Sequence, residues 1–151
     1  MDHAQFYHQL WLSAAMIAAT TFVHGVFIAA AAVFFRGLVK PVQGAYRFLR
    51  DSAVLAVLTL WLMAAHLLEI GMWAWLYMRY ELFPDWETAL YFSVVSYTTL
   101  GFGDILLPEA WRLLSGANAA IGFLLFGLSA AFLFDAVGRL HLAGRQNHNA
   151  H

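Results

Sequence analysis

Three long apolar runs alternate with two polar connections of unlike character. The first runs from about Leu10 to Phe35, the second from about Ala53 to Met78 and the third from about Trp111 to Leu140. Each exceeds the roughly 20 residues that an α-helix needs to cross hydrocarbon, so each predicts a membrane-spanning helix. Trp11 near one end of the first run, and Trp73, Trp75 and Tyr77 near the end of the second, suit the aromatic belt at a membrane–water interface. Between the second and third runs, Pro84-Asp85 predicts a turn with Asp85 as helix N-cap, and Trp86 to Tyr97 reads as a helix of about three turns. A helix of ~12 residues rises only ~18 Å, too little to cross a core of ~30 Å. A short apolar helix followed by a glycine-containing loop is therefore expected to be re-entrant. Its exposed backbone is tolerable at membrane depth only where it is buried in protein or lines a water-filled path, so an oligomer or a cavity is expected.

Composition agrees. The chain of 151 residues is 62% hydrophobic and 11% charged, with mean hydropathy +0.67, as in integral membrane proteins. Without cysteine it has no disulfides, thiolate metal sites or cysteine nucleophiles. The N-terminus lacks a basic region and a small-residue cleavage site, so the first run does not read as a signal peptide. The net charge of -1 says little, but its distribution sets an orientation. The first connection holds Arg36, Lys40, Arg47 and Arg50 against Asp51, whereas the segment from Arg79 to Arg112 holds two arginines against Glu81, Asp85, Glu87, Asp104 and Glu109. By the positive-inside tendency the first connection is cytoplasmic and the second faces outward. The N-terminus is then outside, and the C-terminal tail, with Arg139 and Arg145, is in the cytoplasm. A multi-pass cell-membrane protein is expected, with neither an enzymatic role nor a nucleic-acid partner. No span is arginine-rich, so voltage sensing of the usual kind is not expected.

The run Thr98-Thr99-Leu100-Gly101-Phe102-Gly103-Asp104 follows the short helix. Gly101 and Gly103 can adopt φ > 0 without steric cost, letting successive carbonyls turn to one side. A row of carbonyls facing one axis, repeated by several subunits, can replace the hydration shell of a monovalent cation. Here the sequence resembles the potassium-channel pore family, whose filter reads Thr-Val-Gly-Tyr-Gly-Asp. The resemblance implies an all-α membrane fold with three transmembrane helices, a re-entrant pore helix and a filter loop, assembled as a homotetramer in the lipid bilayer. It divides the chain into an extra N-terminal helix with its basic loop (1–52), a pore unit (53–140) and a polar cytoplasmic tail (141–151). It also implies passive, selective conduction of K⁺, with ions in the filter and no other cofactor. Thr99, Leu100, Gly101 and Phe102 would hold K⁺, together with Gly103, and Asp104, Thr98 and Val95 would support the filter. Three departures stand out. Phe102 lacks the tyrosine hydroxyl, Leu100 is γ-branched where valine is usual, and Val95 stands where some members carry a carboxylate. A weakly selective cation channel is the alternative within the class. In the inner helix, Gly122 and Gly127 match family hinge positions, but they read equally well as small residues for tight helix crossing. Helical spacing puts Phe126, Ala130 and Phe134 on one stripe, assigned to the cavity side as a hydrophobic gate.

His24 and His66 fall near mid-depth when counted from the ends of their runs, with Glu69 one turn beyond His66. Ionisable residues there are costly and are usually functional or paired. They predict a neutral hydrogen-bonded lock between helices or, alternatively, a proton- or metal-sensitive contact. A different class, a haem- or metal-binding redox protein, would use the same three residues. Asp135 reads evenly as a carboxylate ring at the inner mouth or as an i, i+4 partner of Arg139. His141, His148 and His151 look like a polar end rather than a metal site.

Overall fold

The computed structural model describes the backbone of residues 3–38 and 46–148, and the side chains of 3–35 and 46–140. Lys40 and His151 lie outside the described residues, as do the side chains of Arg36, His141, Arg145 and His148.

Among the described residues, four α-helices account for the fold: α1 (His3–Leu38), α2 (Tyr46–Arg79), α3 (Trp86–Tyr97) and α4 (Arg112–His148). A short 3₁₀ turn, Glu109–Trp111, leads into α4. Among the described residues, three helices are long and apolar enough to cross a membrane: His3–Phe35, Tyr46–Arg79 and Glu109–Leu140. All three outrun the apolar stretches that predict them. Backbone hydrogen bonding continues into the polar flanks, whereas hydrophobicity marks only the part that hydrocarbon would surround. Large apolar side chains, among them Trp11, Phe22, Leu60 and Phe123, stay exposed on the outside. Lipid tails suit such a surface and water does not.

α3 covers the range its sequence predicts, and its start is chemical. Asp85 is extended (φ -150°, ψ 165°) and accepts hydrogen bonds from Thr88 N at 2.8 Å and Thr88 Oγ1 at 3.0 Å. The cap satisfies a backbone donor that the first turn would otherwise leave bare. The Thr88 amide holds the Asp85 carboxyl below the usual carboxylate range. Further along, Ser93 Oγ donates to Ile70 O at 2.7 Å and ties α3 to α2.

The interior divides into two apolar clusters. One gathers Trp73, Tyr77, Phe92, Tyr97, Leu114 and Leu125 from α2, α3 and α4. The other joins Ala31, Phe35, Val54, Leu58, Ala136 and Leu140 at the opposite end of the three long helices. Between them, at the level of His24 on α1 and His66 on α2, the interior is polar. His24, His66, Glu69 and Ser129 are all buried there. Every helix reaches that level, which makes it the junction of the fold.

Candidate functional site

Two arrangements meet at the C-terminal end of α3: the glycine-containing loop that follows it and the polar junction beneath its last residue. The loop starts from the final turn of α3. Thr98 is the C-cap (φ -80°), and its amide donates to Val94 O at 3.0 Å. Its hydroxyl also donates to Val94 O, at 2.7 Å. The amide of Thr99 donates to Ser96 O at 2.9 Å and that of Gly101 to Val95 O at 3.2 Å. Val95, with its side chain buried, thus anchors the loop through its carbonyl.

Beyond this anchor the backbone is left-handed at every second residue: φ is 60° at Thr99, 56° at Gly101 and 76° at Gly103. Leu100 and Phe102 between them are not. Alternating handedness of this kind lets consecutive carbonyls turn to one side of the chain. Glycine adopts such angles freely, but Thr99 does so at a cost of roughly 1–2 kcal/mol. Nothing in its residue type signals this, and such strain persists only where the surroundings impose it. Among the described residues, no group donates a hydrogen bond to the carbonyls of Thr99 to Gly103. A row of carbonyls without partners is a ready set of cation ligands.

Asp104 closes the run, and its Oδ2 accepts a hydrogen bond from Tyr91 on α3 at 2.7 Å. That hydroxyl holds the Asp104 carboxyl below its usual range, while the carboxylate pushes the Tyr91 phenol up. Tyr91 therefore stands where Val95 offers no polar group, a partner the sequence does not signal.

The polar junction contains more than the sequence suggests. His24 Nδ1 lies 2.9 Å from Glu69 Oε1, and the Tyr97 hydroxyl donates to Glu69 Oε2. The same hydroxyl lies 2.9 Å from His66 Nδ1, while Ser129 Oγ lies 3.0 Å from His66 Nε2 and 3.1 Å from His24 Nε2. His24, His66 and Glu69 meet as their depths predict, joined by Tyr97 and Ser129, which sequence spacing does not bring to the site. The lock expected between two helices spans all four. Every ring nitrogen of both histidines faces a protein partner. Their rings are centred 4.9 Å apart, which leaves no room for a porphyrin plane between them.

On α4 the expected stripe divides. Phe126 is half-buried, stacking on His66 at 4.2 Å and meeting Tyr97 edge-on at 5.6 Å. Ala130 and Phe134 are exposed, so only they keep an open face. Phe126 is drawn inward because an aromatic face covers the imidazole better than lipid would. Gly122 lies against the backbone of Tyr97, while Gly127 has open space around it. Asp135 is paired with Arg139 at 2.7 Å, both side chains more than half exposed.

Residues 53–139 match a family model described as an ion channel. The match covers α2 from residue 53 onward, all of α3, the loop and α4 as far as Arg139, and leaves α1 outside. No curated protein and no solved structure matches the chain.

Proposed function

We propose, since the chain belongs to the ion channel family, that it forms a potassium-selective pore through which K⁺ moves passively down its gradient. The alternation of left-handed backbone at Thr99, Gly101 and Gly103 carries this reading. In this reading it turns the carbonyls of Thr99, Leu100, Gly101, Phe102 and Gly103 to a common side, and carbonyl rings are the coordination that replaces water around K⁺. One chain supplies one oxygen at each level, so several copies are needed around one axis. A homotetramer meets that need and covers Leu100 and Phe102, whose side chains are exposed in the single chain.

In this assembly α3 is a re-entrant pore helix entering from the outer side. The partial negative charge of its C-terminus favours a cation at the loop's inner end. Thr98 and Val95 anchor the filter, and Asp104, held by Tyr91, braces its outer end. α2, α3 and α4 make the pore unit of residues 53–140, with Ala130 and Phe134 towards the cavity and Asp135 near the inner mouth. Residues 1–52 form an accessory helix and basic loop, and residues 141–151 a cytoplasmic tail. The charge asymmetry of the two connections favours an outer N-terminus.

The test is the reversal potential of the reconstituted protein in asymmetric K⁺ and Na⁺. A potential near that for K⁺ alone is expected. One near zero in bi-ionic solutions assigns the pore to weakly selective cation channels, and absence of cation flux rejects the reading.

A further inference from the structure

The polar junction is a closed circuit that lacks one hydrogen. Its hydrogen-bond contacts run from His24 to Glu69, Glu69 to Tyr97, Tyr97 to His66, His66 to Ser129 and Ser129 back to His24, five in all, and His66 Nδ1 also stands 3.4 Å from Glu69 Oε2. Each contact needs one hydrogen between its two heavy atoms. Neutral His24, neutral His66, Tyr97 and Ser129 bring one each, and an ionised Glu69 brings none. That makes four hydrogens for the five contacts, a buried negative charge, and one contact in which two lone pairs face each other. One further proton fills every contact and makes the circuit neutral overall, either with a histidinium beside the carboxylate or with all groups uncharged. A buried group with an unmet bond or an uncompensated charge is the costly state, and the filled circuit removes both defects.

We propose that this circuit is a proton-binding site, and that its filled state holds the end of α3, and with it the adjoining ion path, in the conducting arrangement. The titratable groups facing one another are His24 from α1, His66 and Glu69 from α2 and Tyr97 from α3. α4 contributes no titratable group and faces them with Ser129 and the stacked ring of Phe126. Among the described residues the ion pairs of Glu69 are with His24 and His66, and no lysine or arginine pairs with it. The charge of Glu69 is therefore balanced by a proton within the circuit or not at all. Tyr97 passes the state of the circuit outward. It is the last residue of α3, it precedes Thr98 and Thr99, and its backbone carbonyl packs on Gly122 of α4. Releasing the proton leaves one contact of the circuit unfilled, and Tyr97 is the side chain through which the circuit pins the start of the loop to the other three helices.

The coupling to conduction rests on the channel reading above, but the proton site does not, and the experiment separates them. Glu69→Gln mimics the filled circuit. Its amide N–H donates to His24 and its amide oxygen accepts from Tyr97, so every contact has a hydrogen and the circuit is neutral without an added proton. In liposomes, parent K⁺ flux is expected to fall about tenfold between about pH 5 and pH 9, while Glu69→Gln keeps the high level throughout. In detergent, the melting temperature of the parent is expected to drop across the same range relative to Glu69→Gln. Should Glu69→Gln fail to fold, Glu69→Met serves instead, because it removes the buried charge at similar volume, and the three contacts it leaves have four hydrogens and need no extra proton. It too is expected to have a flat profile, and a retained pH response there overturns the proposal. So does a parent flux that ignores pH, or a response abolished by a metal chelator, which assigns the residues to an ion. Absence of flux at every pH, with the melting difference intact, supports the proton site and rejects the channel reading.

Discussion

The backbone carbonyl of Tyr97 occupies the space that a side chain on Gly122 would need. A Cβ built on Gly122 overlaps Tyr97 O and stands 2.9 Å from both the carbonyl carbon and the ring Cγ of Tyr97. α4 therefore crosses the last turn of α3 backbone to backbone, one residue before Thr98. Small residues at helix crossings permit this approach. Gly127, five positions on, meets nothing within 4 Å. The two glycines, alike in the sequence, do different things: the first sets a contact and the second leaves α4 unpacked.

Gly122→Ala is accordingly expected to push α4 away from α3, lowering the melting temperature by several degrees and abolishing flux. The atoms it strikes are backbone, which cannot rotate aside. Gly127→Ala should fold normally and gain up to ~1 kcal/mol of helix stability. Thermal melts and liposome flux on the pair decide it. Unimpaired melting of Gly122→Ala would contradict the crossing.

The bond from Tyr91 to Asp104 predicts an acid limit. A carboxyl held below its ordinary range contributes stability that is present above the unfolded value and lost as pH falls through the depressed one. Parent flux should therefore persist below about pH 4, the ordinary carboxylate value, before failing. Tyr91→Phe removes the donor, and its acid limb should move up towards that value. Flux measured against external pH reads the difference, and coincident limbs would leave Asp104 without the support assigned to it.

How far each part can be read from the sequence depends on how local its causes are. The apolar run lengths and the Asp85 cap act within a few turns, and the spans and α3 follow from them. His24, His66 and Glu69 meet because residue counting gives depth, and depth is nearly one-dimensional in a membrane helix. Ser129 lies 105 residues from His24 and Tyr97 lies 28 from Glu69. No periodicity brings a serine on α4 to face an imidazole on α1, since that needs the rotation of each helix about its axis. Phe126 illustrates the same gap: its spacing places it with Ala130 and Phe134, but packing on His66 turns it inward. Thr99 is illegible for another reason. β-Branched residues ordinarily avoid φ > 0, so its handedness is imposed by the loop rather than chosen by the residue.

Asp135 and Arg139 form an exposed i, i+4 pair, and such pairs contribute about 0.3–0.5 kcal/mol. Asp135→Asn should leave melting almost unchanged. If the pair stays closed near an inner mouth, its charges cancel, and Asp135→Asn lowers the current while Arg139→Gln has the opposite effect. It bares a carboxylate and should raise outward unitary conductance, most clearly at low salt, where screening is weak. Single-channel recording at two ionic strengths checks this. Unchanged conductance in Arg139→Gln would mean that Asp135 lies off the ion path.

The sharpest test of the proposed filter separates backbone handedness from packing. A methyl group at Gly101 or Gly103 meets nothing within 4 Å in the single chain, yet φ is 56° and 76° there. Alanine at either position would therefore be strained by its backbone, at roughly 1–2 kcal/mol per chain, enough to shift a two-state population about five- to thirty-fold. In the proposed filter, relaxing that strain would turn a carbonyl off the common side. Gly101→Ala and Gly103→Ala should each assemble like the parent but lose discrimination between K⁺ and Na⁺. Thr99→Gly makes the converse change. It relieves the strain at a φ of 60° and should keep the carbonyl direction, and with it selectivity, although the hydroxyl is gone. Reversal potentials for the three variants, each with its oligomeric state verified, give the answer. Selectivity retained by both alanine variants would mean that the loop's left-handed residues do not direct the ion ligands.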